Sequence, residues 1–145
     1  VTQNIDGLHQ RAGSRKVYEL HGSIHRNYCM SCGHFYDGNY LLSHKRQEDP
    51  VPHCPACGGI IKPDVVLYEE GLDEKVMEGA LKAIEGADLL IIGGTSLTVY
   101  PAAGFIRYYR GEKTVLINRD ATGQDGMADL VIHGSIGAVL DRIRV

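Results

Sequence analysis

Asp88-Leu89-Leu90-Ile91-Ile92, running straight into Gly93-Gly94-Thr95-Ser96, sets the fold class of this chain. A nearly continuous apolar run is what a parallel strand buried on both faces requires, because crossover helices lie over both sides of such sheets. The residues ahead of it predict a helix: Asp73 is a good N-cap, Val76, Met77, Ala80, Leu81 and Ile84 recur on one face, and Gly86 stops it. Beyond the run, Pro101 suits the first turn of a helix reaching Arg110, with Gly111 as its stop. Lys113–Asn118 and Leu130–His133 read as further strands, and Ser135 caps a closing helix marked by Ile136, Val139, Leu140 and Ile143. Strands alternating with helices predict a doubly wound, Rossmann-like α/β sheet. A glycine-rich turn after a buried strand lets the backbone approach phosphate or ribose closely, with small hydroxyls as donors. This turn is not G-x-G-x-x-G, so by itself it is a weak sign. Asn118 ends the next strand 22 residues beyond Ser96, where dinucleotide folds place a ribose-binding side chain that is usually acidic.

All four cysteines lie in two hooks, Cys29-Met30-Ser31-Cys32 and Cys54-Pro55-Ala56-Cys57, separated by 21 residues. Each hook lets two thiolates converge from a tight turn, so the pair matches a tetrahedral zinc site. Two disulfides or redox-active pairs are the alternatives. With no cysteine left over, a structural metal fits better than either. A closed shell of Cys29, Cys32, Cys54 and Cys57 around Zn2+ leaves no position for substrate, so the metal would hold structure. His34 and His53 lie beside the hooks and could replace a ligand, but read as solvated loop residues.

Over 145 residues, 43% hydrophobic and 23% charged residues describe an ordinary globular chain long enough for a core and a small insert. Fifteen Lys+Arg against 18 Asp+Glu, a net charge of -3, leave no electrostatic footprint for general nucleic-acid binding. No apolar run approaches a membrane span, no signal peptide is visible, and reduced thiolates predict a cytoplasmic protein. The chain begins at Val1, not Met, within polar, functional-looking sequence, and so reads as a piece of a longer protein.

At the amino end, Asp6 is expected to cap a short helix in which Leu8 and Ala12 share an apolar face, with Ile5 ahead of the cap and Gly13 as the stop. Thr2, Gln3 and Asn4 crowd the turn before it. Without other clues such groups read as capping chemistry, although they can also recognise a nucleotide's hydroxyls and carboxamide. Val17-Tyr18-Glu19-Leu20-His21-Gly22 has the composition of a strand, placing the titratable His21 at a strand end, where α/β sheets bind ligands. Taken alone, a strand-end His is more often a satisfied surface or core group. Residues 23–62 show little regular pattern beyond the hooks, and Tyr36–Glu48 reads as a loop or a single helical turn. Lys62–Tyr68 reads as a strand, followed by an exposed acidic loop at Glu69-Glu70-Gly71. The expected division is a Rossmann-like domain of residues 1–22 and 63–145 with a zinc module at 23–62.

Several of these stretches converge. Thr2-Gln3-Asn4-Ile5-Asp6-Gly7-Leu8-His9 with Ala12-Gly13, His21-Gly22, the two hooks, Gly94-Thr95-Ser96 with Tyr100-Pro101-Ala102-Ala103, and Ile117-Asn118 follow one another in an order and spacing that resembles the sirtuins, NAD-dependent protein deacylases. The resemblance spans the chain. It implies that a Gly-Ala-Gly phosphate turn, an Arg-containing cofactor loop and a small helical module precede this stretch, which would be the carboxyl-terminal part of the catalytic core and incomplete for cofactor binding by itself. Where the family pattern after Val66 is most often Phe-Gly-Glu, this chain has Tyr68-Glu69-Glu70.

The resemblance implies NAD+ and an acyl-lysine peptide or protein as ligands, meeting between the α/β domain and the zinc module. Asn4 and Asp6 would orient the nicotinamide ribose and carboxamide, and Gln3 and Ile5 would line that site. The acyl oxygen would attack C1′ of the ribose, and His21 would take a proton from the ribose hydroxyl that then attacks the acyl carbon. Lysine, nicotinamide and O-acyl-ADP-ribose would leave. Gly94, Thr95 and Ser96 would contact NAD+, Asn118, Arg119 and Asp120 the adenosine side, and Ile136 the adenine. Val66 would hold the acyl-lysine amide through its backbone, with Tyr68 against the acyl chain. Transfer of ADP-ribose to a protein is a second reading, since the same residues serve both reactions. A non-catalytic zinc-ribbon binding module is a third.

Overall fold

In the computed structural model, which describes residues 1–44 and 49–144, the chain divides into two units, Val1–Met77 and the segment from Glu78 onward. The first holds α1 (Leu8–Arg11), β1 (Gly22–Cys29), β2 (Phe35–Asp37), α2 (Gly38–His44) and β3 (Ile61–Val65). The division falls inside α3 (Glu74–Glu85). The second holds β4 (Leu89–Gly93), β5 (Lys113–Asn118), β6 (Leu130–His133) and α4 (Ile136–Leu140), with short 3-10 stretches at Ala102–Tyr108 and Asp125–Met127.

The first unit is built on an antiparallel sheet ordered β2-β1-β3. This is more regular structure than residues 23–62 suggest, and the reason is visible in β1. Ser23 and Asn27 are buried alongside Cys29, so polar residues occupy inward positions and the alternating apolar signal is lost. Opposite β3 the register slips between Ser23 and Asn27, a bulge that sets Ile24, His25 and Arg26 outside the regular ladder. Asn27, fully buried, donates to the Ile24 carbonyl (3.4 Å) across the bulge and to the Tyr36 carbonyl (3.2 Å). Arg26 closes the other side, with Nε on Asp64 (2.8 Å) and Nη1 on Glu19 (2.7 Å).

Residues 17–22 do not form the expected strand. Glu19 alone pairs, in a parallel bridge with Thr2, and the chain turns as the Gly22 N–H reaches the Glu19 carbonyl (3.0 Å). The strand begins at Gly22, whose φ of +78° and near contact with the Asp64 carbonyl leave no place for a Cβ. His21 therefore sits in a turn leading into β1. The short amino-terminal helix exists, but its cap residue is Gly7 (φ +68°), while Asp6 accepts the Leu8 N–H (3.0 Å) from one position earlier. Leu8 is 55% exposed and Ala12 is exposed, so the expected apolar face is not buried. Within Tyr36–Glu48 the helical part is α2, opened by Asp37 accepting the Tyr40 N–H (2.9 Å); residues 45–48 lie outside the described residues.

The second unit carries a parallel sheet ordered β4-β5-β6, the Rossmann-like arrangement the alternation predicts. Ile92, Leu97, Ala103 and Leu116 form its core, with Leu90, Ile106, Ala128 and Val131 packed against them. On the opposite face Leu89 and Ile91 are each 47% exposed, so β4 is not covered on both faces as its apolar run predicts. It lies at the edge of the described sheet. The helix expected from Pro101 is a 3-10 helix. Ala102 and Phe105, three residues apart and therefore eclipsed, both enter the core. α3 follows its prediction, with Asp73 accepting the Val76 N–H (2.9 Å). Ser135 precedes α4 without a side-chain capping bond, and the helix ends at Leu140, short of Ile143. Among the described residues no helix is long and apolar enough to cross a membrane.

Candidate active site and metal centre

The candidate site residues fall into three groups. The first is the cysteine cluster. Its four sulfurs lie within 4.8 Å of one another, with Cys29–Cys57 at 3.4 Å and Cys32–Cys54 at 3.7 Å. A disulfide requires about 2.05 Å, whereas sulfurs around a tetrahedral zinc stand about 3.8 Å apart. The two hooks are built alike. The N–H of Gly33 bonds the Cys29 carbonyl (2.9 Å) and that of Gly58 the Cys54 carbonyl (2.7 Å), with both glycines at positive φ, +72° and +76°. Cys29 and Cys54 are buried, Cys32 and Cys57 exposed. The Tyr36 hydroxyl lies 3.0 Å from Cys54 and, with N–H groups of the hook, holds that thiol down at about 6, while the Tyr36 phenol is itself pushed up. For Cys57 the Gly59 N–H favours the thiolate, yet the crowding of Cys29, Cys32 and Cys54 outweighs it and pushes the group up to about 12. Four sulfurs this close cannot all be ionised without a cation among them. The donor set therefore fits Zn2+ as a closed, structural ligand shell. His34 stays outside it, its ring tilted against Tyr36, and His53 bonds the Gly58 carbonyl (3.0 Å).

The second group is the loop Gln3–Gly7 and the turn at His21. The His21 Nδ1 lies 3.0 Å from the Gln3 carbonyl. A carbonyl only accepts, so Nδ1 bears the proton and Nε2 of the neutral ring keeps a free lone pair. Asn4 is exposed, Asp6 half-buried. The Val66 N–H bonds the His21 carbonyl (3.1 Å), which leaves the C=O of Val66 as the backbone group able to accept from an amide. Tyr68 is fully exposed, and Glu69 beside it has φ +71°.

The third group lies at the carboxyl ends of β4 and β5. Gly94 (φ +65°) bonds the Ile117 carbonyl (3.0 Å), and the buried Asn118 grips the next residue twice. Its Oδ1 accepts the Thr95 N–H (3.0 Å), and its Nδ2 donates to the Thr95 C=O (2.6 Å). Leu97, also at positive φ (+57°), is held by its N–H on Thr95 Oγ1 (3.2 Å). Ile136 closes over Gly93, where a Cβ would collide with it. Arg119 and Asp120 follow as exposed residues. A turn with this hold, at the ends of parallel strands, is where such sheets take nucleotides.

A family model described as the Sir2 family matches residues 1–101. The chain belongs to the Sir2 family. Relatives agree over nearly its whole length. A protein of Clostridium acetobutylicum named NAD-dependent protein deacetylase is 62% identical over 143 residues, covering 99% of this chain and 57% of the relative. One of Clostridium perfringens with the same name is 62% identical over 144 residues, again covering 99% and 57%. A solved Sir2 structure with a p53 peptide and NAD+ superposes with a TM-score of 0.91 at 37% identity, covering 97% of this chain and 59% of that one. The chain thus spans somewhat over half the length of the relatives it matches.

Two sets of contacts in this Sir2 chain lie outside the sequence reading. Tyr36 on Cys54 has no signal in the pattern, because the residues meet across 18 positions. Likewise, Ile24 and His25 reach the carbonyls of Ile5 and Asp6 (3.1 and 3.0 Å) only because of the β1 bulge.

Proposed function

We propose that the protein containing this chain removes acyl groups, acetyl among them, from protein lysines at the expense of NAD+. The observation that carries the reading is the His21 hydrogen bond to the Gln3 carbonyl, which orders a general base beside the loop bearing Asn4 and Asp6. The names of the relatives agree with it. When bound, NAD+ supplies the ADP-ribosyl group that receives the acyl chain as nicotinamide departs. Asn4 and Asp6 orient the nicotinamide carboxamide and ribose, with Gln3 and Ile5 lining the same loop. His21 Nε2 takes a proton from a ribose hydroxyl, making that oxygen a nucleophile toward the acyl carbon. The Val66 carbonyl accepts the N–H of the acyl-lysine amide, and Tyr68 lies along the acyl chain. Gly94, Thr95 and Ser96 offer backbone and hydroxyl groups to NAD+, Arg119 and Asp120 serve the adenosine side, and Ile136 packs on adenine. Asn118 contributes chiefly by orienting the Thr95 peptide, since its carboxamide is already engaged there. Cys29, Cys32, Cys54 and Cys57 hold zinc away from the reaction, in a module over residues 23–62. Reduced, metal-binding cysteines suit a cytoplasmic setting.

The test is nicotinamide release from NAD+ with an acetyl-lysine peptide, comparing the full-length protein with its His21→Ala variant. Release coupled to deacetylation and lost in the variant is the expected result. Radiolabel from NAD+ retained on a target protein would replace deacylation with ADP-ribose transfer, and unchanged turnover in His21→Ala would remove His21 from the chemistry.

A further inference from the structure

The bulge in β1 does more than bend the strand. Between His21 and His25, three groups reach in order for three carbonyls of the Gln3–Gly7 loop: His21 Nδ1 to Gln3 (3.0 Å), the Ile24 N–H to Ile5 (3.1 Å) and His25 Nε2 to Asp6 (3.0 Å). The middle bond is made by the backbone and His21 belongs to the reaction, so His25 is the side chain in this ladder with no other assignment. The residue is exposed, but one edge of its ring lies against Gly7. An ideal Cβ on Gly7 would stand 2.8 Å from Cδ2 and 2.9 Å from Nε2, and one on Gly38 would stand 3.9 Å from Nδ1. Two glycines thus flank the two edges of one imidazole. Its backbone N–H is held by Ser23 Oγ (3.2 Å), and the bulge that carries it is fixed by Asn27 on the Ile24 carbonyl and by Arg26 between Glu19 and Asp64. Bulges recur beside active sites because they re-aim side chains in this way.

We propose that His25 is a positioning residue, which sets the orientation of Asp6 through the Asp6 carbonyl. The proposal rests on the deacylase reading, in which Asp6 meets the nicotinamide ribose and carboxamide together with Asn4. Asp6 is held from both directions, its carboxylate by the Leu8 N–H and its carbonyl by His25. Loss of the second hold lets the peptide between Asp6 and Gly7 rotate, because Gly7 has no side chain to resist it. The effect falls on binding of NAD+ and spares the proton transfer by His21.

The experiment uses the full-length protein with His25→Ala, His25→Asn and His25→Gln. A Gln amide reaches the place of Nε2 and can donate to the carbonyl, whereas Asn keeps polarity without the reach. Loss of one such hydrogen bond should raise the KM for NAD+ about three- to tenfold in the Ala and Asn variants, with kcat within about twofold and Gln near wild type. Hydrogen exchange of residues 3–8 should quicken in Ala and Asn and be restored in Gln, with unfolding temperatures alike. An unchanged KM in both Ala and Asn, or equal losses in Gln and Asn, would overturn the proposal. If the wild type shows no NAD-dependent turnover, the deacylase reading fails, and exchange in the Gln and Asn pair still decides whether His25 holds the loop.

Discussion

Asn118 gives the sharpest test of how the candidate nucleotide turn is held. Replacing it by Leu keeps the bulk and removes both bonds to the Thr95 peptide, of 3.0 and 2.6 Å. At roughly 0.5–1.5 kcal/mol net for each bond, the substitution should cost about 1–3 kcal/mol, the middle of that range being apt because Thr95 is half-buried and water can take up part of the loss. In a protein of this size that lowers the unfolding temperature by about 4–8 °C. Asn118→Asp separates the two bonds. The carboxylate still accepts the Thr95 N–H but faces the Thr95 carbonyl where a donor stood, and only its protonated form can donate there. That contact raises the folded-state pKa of the introduced carboxyl above its unfolded value. Stability from the protonated form is then present below the unfolded pKa and lost as pH rises through the folded one. The deficit of Asn118→Asp against wild type should therefore be widest near pH 8 and narrow toward pH 5, while that of Asn118→Leu stays flat. Urea unfolding across that range measures both. A Leu variant within about 0.5 kcal/mol of wild type, below the net value of one such bond, would refute the reasoning.

The metal centre and the loop after β3 yield three further outcomes. Cys29→Ser should leave the protein without stoichiometric zinc and disorder the β2-β1-β3 sheet, read by metal analysis and circular dichroism; a zinc-bound, folded variant would show that the site needs fewer thiolates. Tyr36→Phe removes the hydroxyl at 3.0 Å from Cys54 and should weaken zinc binding by about 10- to 100-fold, read in competition with a chelating dye. Glu69 holds φ +71° where the sirtuin pattern places Gly, so Glu69→Val should cost about 1 kcal/mol or more and Glu69→Gly should not, by thermal unfolding.

The parts of the fold written in apolar periodicity or in glycine punctuation were legible. β5 and β6 fall on Lys113–Asn118 and Leu130–His133, α3 begins after its predicted cap Asp73, and the hooks converge as their spacing predicts. Illegible were the elements whose inward residues are polar. β1 buries Ser23 and Asn27, and Val17–Leu20 looks like a strand yet supplies a single bridge because Thr2 is its one partner. The candidate site divides along the same line. His21, Asn118 and the four cysteines are nameable from residue type and order, but what orients them is not. His21 is set by a backbone carbonyl 18 residues away, Asn118 by the peptide of Thr95, and Cys54 by a phenol whose own strand could not be predicted.

That division has a physical basis with consequences for how substitutions act. A carbonyl is present at every residue, so a contact such as His25 to Asp6 leaves no mark on the residue that accepts it. Its traces are the glycines that make room, Gly7 at φ +68° with no space for a Cβ and Gly22 pressed on Asp64. Gly7 and Gly22 therefore report close approach, of backbone to ring in the one case and of backbone to backbone in the other. Substituting Gly7 or Gly22 by Ala should injure the Gln3–Gly7 loop through displacement of His25 or of β3, even though neither glycine would touch a ligand. A variant at either position that kept the loop's hydrogen exchange unchanged would show that the ladder between residues 21 and 25 is not what holds it.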